Sequence, residues 1–267
     1  MNHPFWNTAR DAQSYTLGLG VGVGANVTLT GTAQQSILLQ DLTLNCNLAA
    51  GGLSTGLVTG IRVAGQRVDV TNQGIDIAAF SRISQMEGQR SVGIAIEQQQ
   101  QFSVDVVPAL ATDIVGGAVG VDSMLGADVI PVNELGFALN FAGGLGSSGA
   151  IAAGTAGQLT ATILRPCTIG RIGLTVIGAV ADQPLVQVRS VSINNLEYLA
   201  GASGVGTPVD SVQAINYAFD ATDRDGLTLG VDTSTNDVIT ISLFNAGAGA
   251  VTVQGGFFCL PTIPEMG

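Results

Sequence analysis

Residues 60–68 read GIRVAGQRV, and residues 190–198 read SVSINNLEY. Both alternate apolar and polar side chains, the period-two pattern of a strand with one buried face. Working outward, the first stretch falls in a strand predicted over 61–70 and the second overlaps one predicted over 186–193. Further strands are predicted over 37–44, 92–97, 102–107, 172–177, 238–244 and 251–254. Clusters of Gly, Ala, Asn and Ser separate them, at 50–56, 142–149, 201–207 and 245–250. Helical periodicity is scarce, and short helices are expected only at 76–86, 128–136 or 208–217.

The two opening stretches line up with one another, and so do others in the same order. LLQDLTLN at 38–45 pairs with ILRPCTIG at 163–170, and YTLGLGVGVGANVTL at 15–29 with FALNFAGGLGSSGAI at 137–151. A short, helix-compatible stretch follows the opening pair in each copy, at 74–83 and 206–215. VGIAIE at 92–97 pairs with ITISLF at 239–244, and FSV at 102–104 with VTV at 251–253; each copy then runs to a proline, Pro108 or Pro261. The offset grows from 122 to about 149 residues, which predicts a longer second-copy loop near 218–237. Five matches without rearrangement point to internal duplication. The competing reading is one large β sandwich whose strands merely look alike. The expected fold is all-β: an arm over 1–14, one sandwich over 15–132 and a second over 133–267. Each has material for about eight short strands, which suits a jelly roll.

Composition narrows the function. Only 11% of the residues are charged, against about a quarter in ordinary soluble proteins. Such a surface is cheap to desolvate, as repeated packing requires, although a compositional bias of the source genome explains it equally well. The net charge is −11, all nine basic residues are Arg, and no basic cluster occurs. Phosphate neutralisation, and with it direct nucleic-acid binding, is not expected. The acidic residues are mostly Asp, often beside Gly, Asn or Thr as in turns. Cys46, Cys167 and Cys259 are odd in number with no CxxC spacing, so buried thiols are expected. MNHPFWNTARDAQ at the start lacks a cationic region followed by an apolar one, so no secretory leader is expected. The most apolar run, 114–130, carries Asp122 and Asp128, which argues against a membrane span.

The residues needed for catalysis are scarce. His3, the one histidine, sits in the arm, where an imidazole for nucleophilic catalysis or zinc is poorly placed. Without Lys there is no P-loop and no Schiff base. Gly18–Gly22 is rich in glycine, but no helix-forming sequence follows, so it reads as a strand rather than a dinucleotide site. One Trp and three Tyr are few for a carbohydrate cleft. The run Asp220–Gly226, with Asp223, Asp225 and the later Asp232, has some calcium-loop spacing. Ala221 stands at the first ligand position and Arg224 adds repulsion, so a solvated turn is the better reading. The Gln run at 98–101 reads as a polar hairpin turn, or as an amide-rich subunit contact. No catalytic, cofactor or metal residue is assigned, and an enzyme is not expected.

This layout resembles the double jelly-roll major capsid proteins of tailless, membrane-containing viruses and phages. The likeness rests on duplicated β units, short helices within each, variable loops at one end, and the arm carrying Phe5 and Trp6. It implies a virion protein forming homotrimeric, pseudo-hexagonal capsomers. Its partners would be neighbouring capsomers, other virion proteins and an internal membrane, with no direct nucleic-acid contact and no cofactor. Phe5 and Trp6 become candidate subunit contacts. The alternative is a receptor-binding spike, fibre or adhesin β domain.

Overall fold

Alternating sequence becomes strand throughout the computed structural model, which describes residues 15–34, 36–52, 54–68, 71–80, 94–123, 143–200, 210–211 and 228–261. The chain divides into two compact units. One comprises Met1–Asp69 and Phe80–Asn140; the other comprises Val70–Ala79 and Phe141–Gly267. The sequence reading set a division at 132/133; ten residues of the first copy, 70–79, group instead with the second unit. Helix among the described residues is limited to two 3₁₀ turns, Ile77–Phe80 and Gln183–Leu185. Residues 81–86, 128–136 and most of 208–217 lie outside the described residues, although Asp210–Ser211 is strand.

The first unit contains β1 (Tyr15–Val23), β2 (Val27–Thr32), β3 (Ile37–Asn47), β4 (Gly56–Val63) and β5 (Gln66–Arg67). After β6 (Ile75–Asp76), which belongs to the second unit, follow β7 (Ile94–Ile96), β8 (Gln101–Pro108) and β9 (Ile114–Ser123). One sheet has the order β1-β9-β3-β7 and the other β2-β8-β4-β5. Alternate residues of β2, β4 and β8 are buried. Leu29, Leu42, Leu44, Ile61, Val63, Phe102, Val104, Val115 and Val119 form this core.

The second unit contains β10 (Gly143–Ile151), β11 (Ala156–Thr162), β12 (Cys167–Ile177), β13 (Val186–Ile193) and β14 (Leu196–Ala200). It continues with β15 (Asp210–Ser211), β16 (Thr228–Thr233), β17 (Val238–Asn245) and β18 (Val251–Pro261). Its sheets run β10-β18-β12-β16 and β11-β17-β13-β14. Setting aside the two-residue β6 and β15, each unit has eight strands among the described residues. In both, one sheet takes the first, last, third and sixth, and the other takes the second, seventh, fourth and fifth. Ile169, Leu174, Val188, Val191, Ile239, Ile241, Leu243, Val253 and Phe257 fill the second core.

The duplication is visible down to irregularities in the ladders. Bulges interrupt β3 at Leu39/Asp41 and β12 at Ile169/Ile172, β4 at Val58/Gly60 and β13 at Val188/Ser190, and β1 at Gly18/Gly20 and β10 at Gly144/Gly146. Bulges are built features, so their recurrence is stronger than any likeness of alternating sequence. The opening stretches correspond with an offset of 130, from Gly56 to Val186. Neither is one continuous strand, because a turn with both central residues at positive φ splits each: Ala64-Gly65 and Asn194-Asn195.

Elsewhere the sequence matches slip. The third strands correspond at an offset of 130 rather than 125. The pairing of 92–97 with 239–244 joins β7 to β17, one strand too far; the counterpart of β7 is β16. Likewise 102–104 belongs with β17 rather than β18. The reason is physical: every strand here buries one apolar face in two, so sliding a whole strand costs little in sequence similarity. The true offset reaches only 138, from Ser123 to Pro261, as their shared ladder partners Ile37 and Cys167 establish. Residues 98–101 turn the chain from β7 in one sheet to β8 in the other, a corner rather than a hairpin.

Candidate functional site

The outermost strands β10 and β11 in the second unit would leave backbone groups unpaired along two sheet edges. Residues 71–77 close both. The Thr71 hydroxyl donates to the carbonyl of Gly144 and accepts from its N–H, each at 2.8 Å. The N–H of Gly146 donates to the Gly74 carbonyl at 2.9 Å. On the β11 side, Asn72 N–H donates to the Thr162 carbonyl at 3.2 Å, and Thr162 N–H donates to Asn72 Oδ1 at 2.9 Å. Within the strap, Ile75, Asp76 and Ile77 are buried.

Two details show how close the approach is. A Cβ on Gly144 would stand 2.3 Å from the Gly74 carbonyl oxygen and 2.4 Å from that of Gln73. No side chain fits there. The Asp76 carboxyl accepts from Ala78 N–H at 3.0 Å and from the Thr175 hydroxyl, while its Oδ2 has no partner. Burial pushes its pKa above the ordinary carboxylate range, and the two hydrogen bonds oppose that only in part.

The first unit has the corresponding edge, and no strap crosses it among the described residues. Gly18-Leu19-Gly20 corresponds to Gly144-Leu145-Gly146: the bulges coincide, Leu19 and Leu145 are both buried, and Gly20 and Gly146 both have positive φ, +83° and +71°. Yet no atom of the described residues stands within 4 Å of where a Cβ on Gly18 or Gly20 would lie. The bulge also turns the rest of β1 over. Val21 and Val23 face outward, 73% and 60% exposed, and Val23 has the partly exposed Ile114 as its ladder partner. Their second-unit counterparts, displaced by 126 residues, are Ser147 and Gly149. No charged residue occurs from 12 to 40. The β1 edge is therefore apolar and uncharged, in a chain of net charge −11.

Each unit also ties two loops at one end with an aspartate. In the first, Asp113 Oδ2 accepts from the Ser54 hydroxyl and from Leu110 N–H at 3.1 Å, and its Oδ1 has no partner. The thiol of Cys46 lies nearby. Burial first, and the Asp113 charge second, raise its pKa, so it stays protonated and unreactive. In the second unit the roles of the loops reverse: Asp182 lies between β12 and β13 and accepts from Ala248 N–H at 2.8 Å. Asn245 holds the same loop, donating to the carbonyls of Ile151 at 3.0 Å and Gly249 at 2.8 Å. These carboxylates are structural ties whose partners are backbone and hydroxyl groups.

Phe5, Trp6 and His3 lie outside the described residues, as does the acidic run 220–226. Asp232 is on β16, exposed, and accepts from the Thr168 hydroxyl at 2.5 Å. Among the described residues, no three His, Cys, Asp or Glu side chains gather to hold a metal. Cys46 and Cys167 are buried as expected. Gly18–Gly22 lies within β1, as a strand. Sequence reasoning missed Thr71, Gly144 and Gly18. The repeated GLG at 18–20 and 144–146 was the available signal, hidden by an alignment four residues out of step. Set against known proteins, the sequence matches no protein-family model and no curated protein.

Proposed function

We propose that this chain is a structural virion protein: a major capsid protein of the double jelly-roll kind, each unit being one jelly roll. The observation that carries the reading is the strand order, first-last-third-sixth facing second-seventh-fourth-fifth, found twice in tandem. That order is what two interlocked Greek keys produce in an eight-stranded double sheet. Two such units per chain make a trimer six-lobed, the shape that tiles a hexagonal lattice with cyclic symmetry. The uncharged, apolar edge of β1 supports repeated packing, since little water must be stripped from ions. Self-association and contact with other virion proteins and an internal membrane follow from this role, as does location in the capsid. Catalysis, cofactors and direct nucleic-acid binding do not.

The test is light scattering coupled to size-exclusion chromatography, followed by negative-stain microscopy. A stable trimer with a six-lobed outline, or larger shell fragments, is the expected result. A clean monomer that binds glycans on an array would favour the adhesin alternative and end the capsid reading.

A further inference from the structure

We infer that one proton, held between Asp76 and Gln254, latches the strap to the second unit, and that its loss lifts residues 71–77 from the β10 and β11 edges. The latch is a pH-operated device within one unit, and it does not rest on the capsid reading.

Two buried acceptors of this unit lack donors: Asp76 Oδ2 and Gln254 Oε1. Asp76 is fully buried and Gln254 is 9% exposed. Both belong to one place. Gln254 stands directly opposite Thr175 in the ladder of β12 and β18, and the Thr175 hydroxyl bonds to the Asp76 carboxyl. Side chains paired in this way leave the same sheet face with their Cβ atoms about 5 Å apart. That face looks away from the core, because the alternate residues Leu174, Val176 and Val253 are the ones that fill it. The strand β6, which carries Asp76, packs on β10 and β18.

A single proton satisfies both atoms. A carboxylic acid has one O–H to donate, and an amide oxygen accepts it. With the proton on Oδ2, Oδ1 goes on accepting from Ala78 N–H at 3.0 Å. An ionised Asp76 would instead hold a charge beside a second unmet acceptor in a place without water, which is the costly arrangement. Asp76 is the one ionisable residue from 70 to 80. Across β4, β10, β12 and β18 the others are Arg62, paired with Asp105, and Cys167, Arg171 and Cys259. None of these is among the causes of the raised Asp76 pKa, which are burial, opposed by Thr175 and Ala78.

The latch controls two strand edges. Three N–H groups donate to the strap: Gly144 to the Thr71 hydroxyl, Gly146 to the Gly74 carbonyl and Thr162 to Asn72 Oδ1. Lifting the strap frees all three and opens both edges to other strands. Asp76 is protonated when latched and ionises once the strap reaches water, so opening releases one proton. The latch is therefore firm in acid. It weakens by about tenfold per pH unit above the pKa of the free carboxyl and levels off above the pKa of the latched one.

Amide hydrogen exchange, followed by nuclear magnetic resonance on the full chain across a pH series, tests the latch. Protection factors are compared, which removes the intrinsic pH dependence of exchange. Those of Gly144, Gly146 and Thr162 should fall by about tenfold per pH unit through that window. They should also lie below those of the β13–β17 ladder, because the strap lifts without the core opening. Asp76→Asn imitates the protonated acid, its amide N–H donating to Gln254, and should keep the three factors level. Gln254→Leu removes the acceptor, so the fall should level off at a lower pH. Factors independent of pH in the wild type, or equal to those of the core ladder, would overturn the inference. So would an Asp76→Asn chain that still shows the fall. A Gln254→Leu chain that levels off at a higher pH would overturn it too, since the amide would then be donating its N–H to an ionised Asp76. The wild-type series decides alone if a variant fails to fold.

Discussion

At the scale of single residues, the same residue type answers to different causes. Gly144 lacks a side chain because the carbonyls of Gln73 and Gly74 occupy its place. Gly144→Ala should therefore lower stability by about 1–3 kcal/mol, measured by chemical denaturation, because backbone cannot yield as a flexible side chain would. An unchanged midpoint would show that the strap does not press on this strand. Asp76 gives a pH prediction. Its burial raises the folded-state pKa above the unfolded value. Its favourable contribution is then complete below the unfolded pKa and is lost as pH rises through the folded one. Asp76→Asn keeps an acceptor for Ala78 N–H but cannot ionise. The variant should gain stability relative to the wild type as the medium moves from acid to neutral. The opposite trend in denaturation midpoints would contradict this assignment. Asp237 is the contrasting case: hydrogen bonds from Ser234 N–H and then Asn194 lower its pKa at an exposed turn. Its small contribution is present above the unfolded pKa and fades in acid.

At the scale of elements, the turns between the fourth and fifth strands are the clearest comparison. Both central residues have positive φ, which matches the twist of a two-residue hairpin. The second copy uses Asn194 and Asn195. The side chain of Asn194 adds a bond to Asp237 at 2.6 Å and accepts from Val238 N–H at 2.9 Å. The first copy places Ala64 at φ 50°, a conformation an alanine adopts at a cost. Ala64→Asn should therefore raise stability by roughly 0.5–1 kcal/mol in a thermal or denaturant melt. A loss of stability would mean that the left-handed turn is not formed. The bulge in β1 matters in the same way. Alternation alone would put Tyr15, Leu17, Leu19, Val21 and Val23 on one face; the bulge between Gly18 and Gly20, which takes Leu19 out of the ladder, keeps Leu19 inside and sends both valines out.

At the scale of the whole molecule, the repeat is exact in strand order among the described residues. Residues 71–77 bond to the β10 and β11 edges of one unit, while Val21 and Val23 on β1 of the other stand exposed. Exposed valines on an edge strand without charge or proline favour association. Light scattering across a concentration series should accordingly show an oligomer rather than a monomer, with weak salt dependence, because residues 12–40 carry no charge. A strong loss of association in moderate salt would point to a contact made elsewhere.

The sequence by itself determined that the chain is all-β, that its units repeat, and that metal, phosphate and imidazole chemistry have few residues to work with. These properties follow from composition and from period-two burial, which are local. Only the tertiary structure decided the register of the repeat, because one half-buried strand resembles the next and sliding between them is nearly silent in sequence. It alone showed that residues 70–79 belong with the second unit, since hydrogen bonds across 73 positions, as from Thr71 to Gly144, leave no periodic trace. And it alone separated Gly18 from Gly144. Both are followed by Leu-Gly, and the backbone of Gln73 and Gly74 lies against Gly144 while no described residue lies within 4 Å of a Cβ at Gly18.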